Sequence, residues 1–184
     1  MGLDVVRTNI SRIGGSVMVE TEIGSGTTFR VTLPLTLAIM QTMLVALGED
    51  IYAIPMTGII ESLYLADVKV STIKGRPATH WRDEVLPLLP LDEFFYNPHR
   101  QASEGPSDKP AIVAVAWGRL QVGLMVDRII GKQEIVVKPF GPVIGNVTGL
   151  SGCTIMGDGR IALIVDVPGL INTVVQTQRQ EGAK

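Results

Sequence analysis

The sequence has few cysteines, few histidines and little excess charge. Cys153 is the one cysteine, which excludes an internal disulfide and a cysteine-based zinc cluster and indicates a reducing compartment. The two histidines, His80 and His99, have no cysteine or histidine neighbour, so we expect no metal site. Sixteen Lys and Arg against 18 Asp and Glu leave a net charge of -2, which argues against a nucleic-acid partner.

Long apolar runs and targeting signals are also missing. Pro34, Thr36, Gln41 and Thr42 interrupt residues 33–47, and a membrane-spanning helix needs about 18 to 20 apolar residues. The first residues carry an acidic side chain, Asp4, where a signal peptide carries positive charge. We therefore expect a cytoplasmic protein that does not insert into a membrane. With 184 residues, of which 46% are hydrophobic, it is expected to bury a core.

The opening of the chain predicts a helix followed by a hairpin. Apolar residues recur with helical spacing over residues 3–13, which indicates a short amphipathic helix. Alternating residues at 16–22 and 28–33 predict two strands joined by the Gly-Ser-Gly-Thr turn at 24–27. The helical stripe consists of Leu3, Val6, Ile10 and Ile13.

The rest of the chain predicts two successive β units, in keeping with 20 glycines and 11 prolines spread along it. The first unit begins with residues 37–47, which are apolar on both faces, as expected of a strand covered on both sides. It includes a predicted helix over 57–65 and a strand at 84–95, which Pro87 and Pro90 confine to a sheet edge or bulge.

The second unit follows a polar loop at 97–110. It contains a predicted hairpin across Gly118 and Arg119 and a tight turn at 157–159. Two short phrases in it, residues 123–127 and 162–166, echo each other, and the echo suggests paired strands.

Three residues of the second unit are chemical candidates. Asp127 and Asp166 each end an apolar strand, so they suggest an acid and base pair. The favoured alternative is that each aspartate accepts backbone hydrogen bonds in a turn. Cys153 has no adjacent base, which favours an inert thiol over a nucleophile.

Two sets of motifs, near the two ends of the chain, carry a resemblance to a known family. The first set comprises residues 2–6 (Gly-Leu-Asp-Val-Val), 14–15 (Gly-Gly), 24–29 (Gly-Ser-Gly-Thr-Thr-Phe) and 33–39 (Leu-Pro-Leu-Thr-Leu-Ala-Ile). The second set comprises residues 124–127 (Leu-Met-Val-Asp), Gly131, 136–139 (Val-Val-Lys-Pro) and 157–167 (Gly-Asp-Gly-Arg-Ile-Ala-Leu-Ile-Val-Asp-Val). The first set resembles the end of the ATP-binding domain of CheA-type chemotaxis histidine kinases. The second resembles the CheW-like domain that follows it in those kinases.

The resemblance implies a mainly β fold. Residues 35–172 would form a CheW-like domain of two SH3-like five-stranded β-barrels, with the loop at 97–110 between or beside them. Residues 1–34 would be a helix and hairpin remnant of the α/β sandwich of a kinase ATP-binding domain, and residues 173–184 a polar tail. We expect residues 1–34 to be less ordered than the barrels or packed differently.

The resemblance also implies a role in bacterial chemotaxis. The chain would be a regulatory or adaptor module that binds the CheW coupling protein and the cytoplasmic tips of chemoreceptors, and so couples receptor signals to kinase autophosphorylation. Self-association is a further candidate interaction. The candidate partner face is formed by Met43, Val45, Ile51 and Ile54, with the alternative that each is a core residue.

Only traces of a nucleotide site are implied, at Gly2 and Thr27. The magnesium-binding Asn box, the Asp-x-Gly-x-Gly adenine box and the phosphate-accepting histidine domain of the family are not found in this sequence. We therefore expect no catalytic residues and no cofactor here, with Mg-ATP belonging to the intact kinase. Two alternatives remain: the nucleotide-binding part of an ATP-dependent protein histidine kinase, and a standalone CheW-type scaffold. The kinase-like first 34 residues argue against the scaffold.

Overall fold

The computed structural model describes residues 2, 5–7, 10, 16–32, 39–73, 75–95, 109–141 and 144–181. The chain divides into two compact units, Met1–Ala38 and Ile39–Lys184. In the first unit, residues 5–7 and 10 are helical, and the rest of the predicted helix lies outside the described residues. Strands β1 (Ser16–Glu22) and β2 (Gly26–Thr32) form the predicted hairpin. Its assignment as a kinase remnant remains a prediction.

The second unit consists of short strands with two helices in its described part. The strands are β3 (Ile39–Leu47), β4 (Asp50–Pro55), β5 (Ile59–Tyr64), β6 (Val70–Ile73), β7 (Arg76–Trp81), β8 (Glu84–Pro90), β9 (Ala111–Trp117), β10 (Leu120–Val126), β11 (Arg128–Val136), β12 (Leu150–Ile155) and β13 (Ile161–Val165). The helices are α1 (Leu91–Phe94) and α2 (Val167–Glu181), and single 3-10 turns lie at Met56–Gly58 and Leu65–Asp67. Residues 173–181 of the expected tail therefore continue α2. No described helix combines the length and the apolar character needed to cross a bilayer.

The strands of the second unit form two sheets, which we call barrel 1 and barrel 2. Barrel 1 has the order β11-β3-β4-β13-β12, and Lys138, just after β11, forms an antiparallel bridge to Cys153 of β12 that closes it. Barrel 2 has the order β5-β9-β10-β8-β7-β6. Its two end strands, β5 and β6, follow each other along the chain and are joined by the 3-10 turn Leu65–Asp67. The mainly β fold with two barrels is confirmed, although barrel 2 has six strands where five were predicted.

The two barrels have the same strand topology. Each contains an antiparallel hairpin, β3–β4 or β9–β10, whose second strand pairs in parallel with a strand of another hairpin. That parallel partner is β13 in barrel 1 and β8 in barrel 2, and each is followed directly by a helix. The chain therefore enters barrel 1, builds barrel 2 completely and returns, so barrel 1 is a circular permutation of barrel 2.

This path corrects the prediction of two successive units. The first predicted unit contributes β3 and β4 to barrel 1 and its remaining strands to barrel 2. The echoing phrases do not pair either, since β10 lies in barrel 2 and β13 in barrel 1. Local patterns cannot reveal the parallel contact of β4 with β13, because its partners are more than 100 residues apart along the chain.

Three apolar cores explain why the central strands are apolar on both faces. Leu44, Ile51 and Ile164 belong to a cluster inside barrel 1. A second cluster inside barrel 2 includes Leu88 and Ile112. A third cluster draws on strands of both barrels and on both helices, so it fills the space between the barrels. Successive residues of β3 therefore face alternately into barrel 1 and towards barrel 2.

Two local predictions in barrel 2 are wrong. Residues 59–64 of the predicted helix form β5, in which half-buried and exposed residues alternate with the period of a strand. The proline-containing strand β8 lies inside the sheet instead of at an edge. It tolerates Pro87 because residues 84–87 pair with β7 and residues 88–90 pair with β10, so the proline sits where the strand changes partner.

Candidate protein-interaction site

The four residues predicted as a partner face are buried within the chain. Met43, Val45, Ile51 and Ile54 are 7%, 0%, 3% and 0% exposed, respectively. Ile51 packs inside barrel 1, and the other three pack in the core between the barrels. Because both faces of β3 and β4 are covered, these side chains offer no exposed surface. Their positions match the alternative, in which each is a core residue.

Asp127 and Asp166 do not form an acid and base pair. Asp127 lies beside the β3–β4 turn, where its Oδ2 accepts a hydrogen bond of 2.6 Å from the backbone N–H of Gly48. Asp166 follows β13 and precedes α2, and its backbone carbonyl accepts a hydrogen bond of 2.9 Å from Leu170. The two aspartates lie at opposite ends of β4, which rises about 3.3 Å per residue, too far apart for direct contact. For Asp127 the predicted bond to the backbone is confirmed.

The other chemical candidates lie apart from one another. Cys153 is half-buried on β12, and His80 is exposed on β7. His99 lies outside the described residues. Within the part of the chain that the structure describes, no group of three or more His, Cys, Asp or Glu side chains is placed to hold a metal ion.

The two expected nucleotide contacts, Gly2 and Thr27, make hydrogen bonds to nearby residues of the first unit. The Gly2 carbonyl accepts a hydrogen bond of 3.2 Å from the N–H of Val6. The Thr27 hydroxyl lies 3.2 Å from the hydroxyl of Thr21, its cross-strand neighbour. The proposed nucleotide contacts of Gly2 and Thr27 stay a prediction.

An exposed pair of isoleucines lies on the outer hairpin of barrel 1. Ile155 ends β12 and Ile161 begins β13, and the two are direct cross-strand partners. Their side chains are 55% and 61% exposed, although cross-strand neighbours on one face lie within contact distance. We call this pair the isoleucine face. The sequence signal for it was an isoleucine two residues before and two residues after the Gly-Asp-Gly turn.

The turn between these isoleucines is held by a charged pair. Asp158 accepts hydrogen bonds from the backbone N–H of Arg160 at 3.0 Å and from its Nε at 2.8 Å. The side-chain hydrogen bond from Arg160, followed by the backbone one, lowers the pKa of Asp158 below its ordinary value. A backbone hydrogen bond also stabilises the turn: the N–H of Met156 donates to the carbonyl of Arg160 at 2.8 Å. The isoleucine face is therefore presented by an ordered turn.

The topologically equivalent hairpin of barrel 2, β7–β8, has a charged surface. Glu61 Oε2 accepts hydrogen bonds from Trp81 Nε1 at 3.2 Å and from Arg82 Nη2 at 2.8 Å. The Arg82 guanidinium lies 4.5 Å from the centre of the Trp81 ring, a cation–π contact. The equivalent hairpins thus differ: the one on barrel 1 presents two exposed isoleucines, and the one on barrel 2 combines the Arg82–Glu61 ion pair with one exposed valine, Val85.

A cleft between the helices and barrel 2 is small. Its volume is about 210 Å³, and its lining includes Leu89, Phe94 and Thr173. Pockets for small ligands usually measure about 300–1,000 Å³. The exposed hairpins are therefore better candidates for a functional surface than this cleft, and they indicate binding of another protein.

Comparisons with known proteins show the family of this chain. A family model described as CheW-like domain matches residues 41–175. The sensor histidine kinase CheAY of Helicobacter pylori is 37% identical over 94% of this chain and 21% of its own length. The chemotaxis protein CheA of Treponema pallidum is 37% identical over 98% of this chain and 23% of its own length. This chain therefore spans less than a quarter of the length of these two relatives.

Among solved structures, the scaffolding protein TtCheW from Thermoanaerobacter tengcongensis shares the fold. The superposition has a TM-score of 0.58 and covers 70% of this chain and 89% of that protein, at 20% sequence identity.

Proposed function

The chain belongs to the CheW-like domain family, and on that premise we propose that it is the regulatory module of a CheA-type chemotaxis histidine kinase. In this role it binds the CheW coupling protein and the tips of chemoreceptors, and it links receptor state to kinase autophosphorylation. It works in the cytoplasm, held at receptor arrays through these partners.

The extent of the similarity favours a CheA module over a standalone CheW scaffold. The CheW-like family model begins at residue 41, but the Treponema CheA matches 98% of the chain. Its match therefore extends into the first compact unit, Met1–Ala38. A chain made only of CheW-like barrels would have no counterpart for this unit. We propose the domain division 1–34, 35–172 and 173–184 on the same ground.

The isoleucine face is the observation that carries the assignment of CheW as the partner. Most large apolar side chains of β3, β4 and β9 are used in the three cores, whereas Ile155 and Ile161 stay more than half exposed. An apolar pair on an ordered hairpin is suited to the centre of a protein interface. The charged β7–β8 hairpin of barrel 2 provides a different surface for a second partner, for which we propose the receptor tip.

Titration calorimetry of a CheW protein into the full chain tests this assignment. We expect Ile155→Ser and Ile161→Ser to weaken CheW binding about fivefold or more each, since a central interface residue contributes more than about 1 kcal/mol. Val85→Ser is the matched control, because Val85 is 54% exposed but lies on barrel 2. If the Val85 variant loses as much affinity as the isoleucine variants, the isoleucine face is not the CheW site. If the unaltered chain does not bind CheW, the proposed function is wrong.

A residual nucleotide site at Gly2 and Thr27 is a separate proposal, and the Mg-ATP that it would bind is the substrate of the intact kinase. Both residues lie in the first unit, so binding there does not depend on the barrels. Calorimetric titration of Mg-ATP into the chain tests it. Binding that is lost in Thr27→Val would support the proposal, and the absence of heat at millimolar nucleotide would reject it.

A further inference from the structure

Barrel 1 exposes a third isoleucine, Ile39, at the start of β3. In the full chain the side chain of Ile39 is 65% exposed, more than either member of the isoleucine face. Its direct cross-strand partner on β11 is Val136, which is half-buried. Ile135, the residue before Val136, packs inside barrel 1, so Val136 and its partner face outward. A second pair of apolar side chains therefore lies on the outer surface of this barrel.

The bridge that closes barrel 1 places this second pair beside the isoleucine face. Lys138 and Cys153 are antiparallel partners that exchange two backbone hydrogen bonds of 2.8 Å. Two residues further along the same two segments, antiparallel register brings Val136 opposite Ile155. Cα atoms of β11 and β12 come within 8 Å of each other, in agreement with this register. We call the resulting row over β11, β12 and the strands that flank them the apolar strip; its members are Ile39, Val136, Ile155 and Ile161.

Polar groups border the apolar strip on both sides, as they border the centre of a protein interface. On one side, Gln41 Nε2 donates a hydrogen bond of 3.2 Å to Oε1 of Glu134, its cross-strand partner. On the other side lies the pair of Lys138 and Cys153. Two exposed isoleucines cover only a small part of the area of about 800 Å² that each partner buries in a standard interface. The strip enlarges this apolar centre to four strands.

We propose that a single CheW molecule covers the whole apolar strip, so that Ile39 and Val136 are further binding residues for this partner. The inference rests on the proposed function, because the partner is the one assigned to the isoleucine face. Continuity with that face supports the same occupant, since a partner seated on Ile155 meets Val136 as its next neighbour. Removing the exposed side chain of Ile39 from water then favours the complex.

Methyl NMR of the full, unaltered chain provides the first test. The chain is prepared with isotope-labelled isoleucine methyl groups and titrated with a CheW protein. We expect the methyl signals of Ile39, Ile155 and Ile161 to change over the same range of CheW concentration. Ile130 is the matched control, because it is 41% exposed on the same barrel. It lies on β11 six residues from Val136, about 20 Å along the strand, and its signal should stay unchanged.

Calorimetry of two variants provides the second test. Ile39→Ser should weaken CheW binding about fivefold or more, as expected of a residue in the centre of an interface. Ile130→Ser makes the same chemical change outside the strip and should bind CheW as the unaltered chain does. Because both side chains are exposed, neither change opens a cavity in a core.

Four results would overturn the proposal. If the signals of Ile155 and Ile161 respond but Ile39 does not, CheW covers the isoleucine face alone, and the proposed function stands without the strip. If Ile130 responds as strongly as Ile39, or its variant loses as much affinity, the effects are not local to the strip. A change at Ile39 that grows with protein concentration in the absence of CheW would identify a second copy of the chain as the occupant. If the unaltered chain does not bind CheW, the proposed function and the inference that rests on it are both wrong.

Discussion

Lys138 and Cys153 exchange two backbone hydrogen bonds of 2.8 Å each, and this pair closes barrel 1. The residue before Cys153 is Gly152, and a Cβ atom added there would lie 2.6 Å from the carbonyl oxygen of Lys138. Real Cβ atoms do not approach backbone oxygens so closely. The closure of the barrel therefore depends on a glycine at position 152.

Gly152→Ala should accordingly destabilise the chain. The added methyl must displace the backbone at Lys138 or break the bridge, and strain of this kind costs about 1–3 kcal/mol. The free energy of unfolding measured in urea checks this. Gly157→Ala is the control, since a Cβ at Gly157 would meet nothing within 4 Å. Equal stability of the two variants would mean that the closure does not need Gly152.

Gly123→Ala should be destabilising for a different reason. A Cβ at Gly123 would lie 2.6 Å from Cδ2 of Leu88 and 2.7 Å from Cγ2 of Ile112 in the core of barrel 2. Overpacking a close-packed core typically costs about 1–3 kcal/mol, and side chains can give way more easily than backbone. Urea unfolding of the double variant, Gly123→Ala with Leu88→Val, checks the cause. If Leu88→Val does not recover part of the lost stability, the clash is not the source of the effect.

Local features of barrel 2 were predictable from the sequence because turns and strand periodicity are local. The hairpin predicted across Gly118 and Arg119 is the β9–β10 hairpin, and its turn lies at these two residues. The prediction of a helix at 57–65 was wrong because the apolar residues Ile59, Ile60 and Leu63 have a spacing that fits a helix, although they lie in a strand. Their burial, which alternates from residue to residue, is set by the pairing of β5 with β9, more than 45 residues away.

The candidate site was harder to predict than the fold. Ile54 and Ile161 have the same side chain and both lie in strands, but the first is fully buried and the second is 61% exposed. Ile54 sits on a face of β4 that the second barrel covers, and that coverage follows from the interleaved path of the chain. A sequence pattern does not contain this information, so the predicted partner face fell on core residues.

Asp127 should be important for joining the barrels. It lies between β10 of barrel 2 and β11 of barrel 1, and it binds Gly48 through its carboxylate and Ala46 through its N–H. Asp127→Ala leaves the Gly48 N–H without this partner, which we expect to cost about 1–3 kcal/mol. Asp127→Asn is the control, because its amide oxygen can still accept the bond. Hydrogen exchange at Gly48 should accelerate in the alanine variant and much less in the asparagine variant. Equal exchange in both would contradict this role.

The hairpin that carries the isoleucine face should respond to acid. Hydrogen bonds from Arg160 lower the pKa of Asp158, so the folded state favours the ionised carboxylate. A carboxyl group with a lowered pKa contributes its stabilisation above the pKa of the unfolded chain and loses it as the pH falls through the folded value. Because Asp158 is exposed, the effect on global stability is small and the change is local.

NMR titration of the Asp158 carboxyl carbon, together with the amide of Arg160, measures this change. We expect the turn to hold its hydrogen bonds at neutral pH and to loosen below the ordinary carboxyl range, with faster exchange at the Arg160 amide. Arg160→Gln should move the pKa of Asp158 back up towards its ordinary value, because the charged donor is gone. A titration of Asp158 that is the same in both proteins would show that Arg160 does not hold the turn. In that case the order of the turn between Ile155 and Ile161 would need another cause, such as the bond from Met156 to the carbonyl of residue 160.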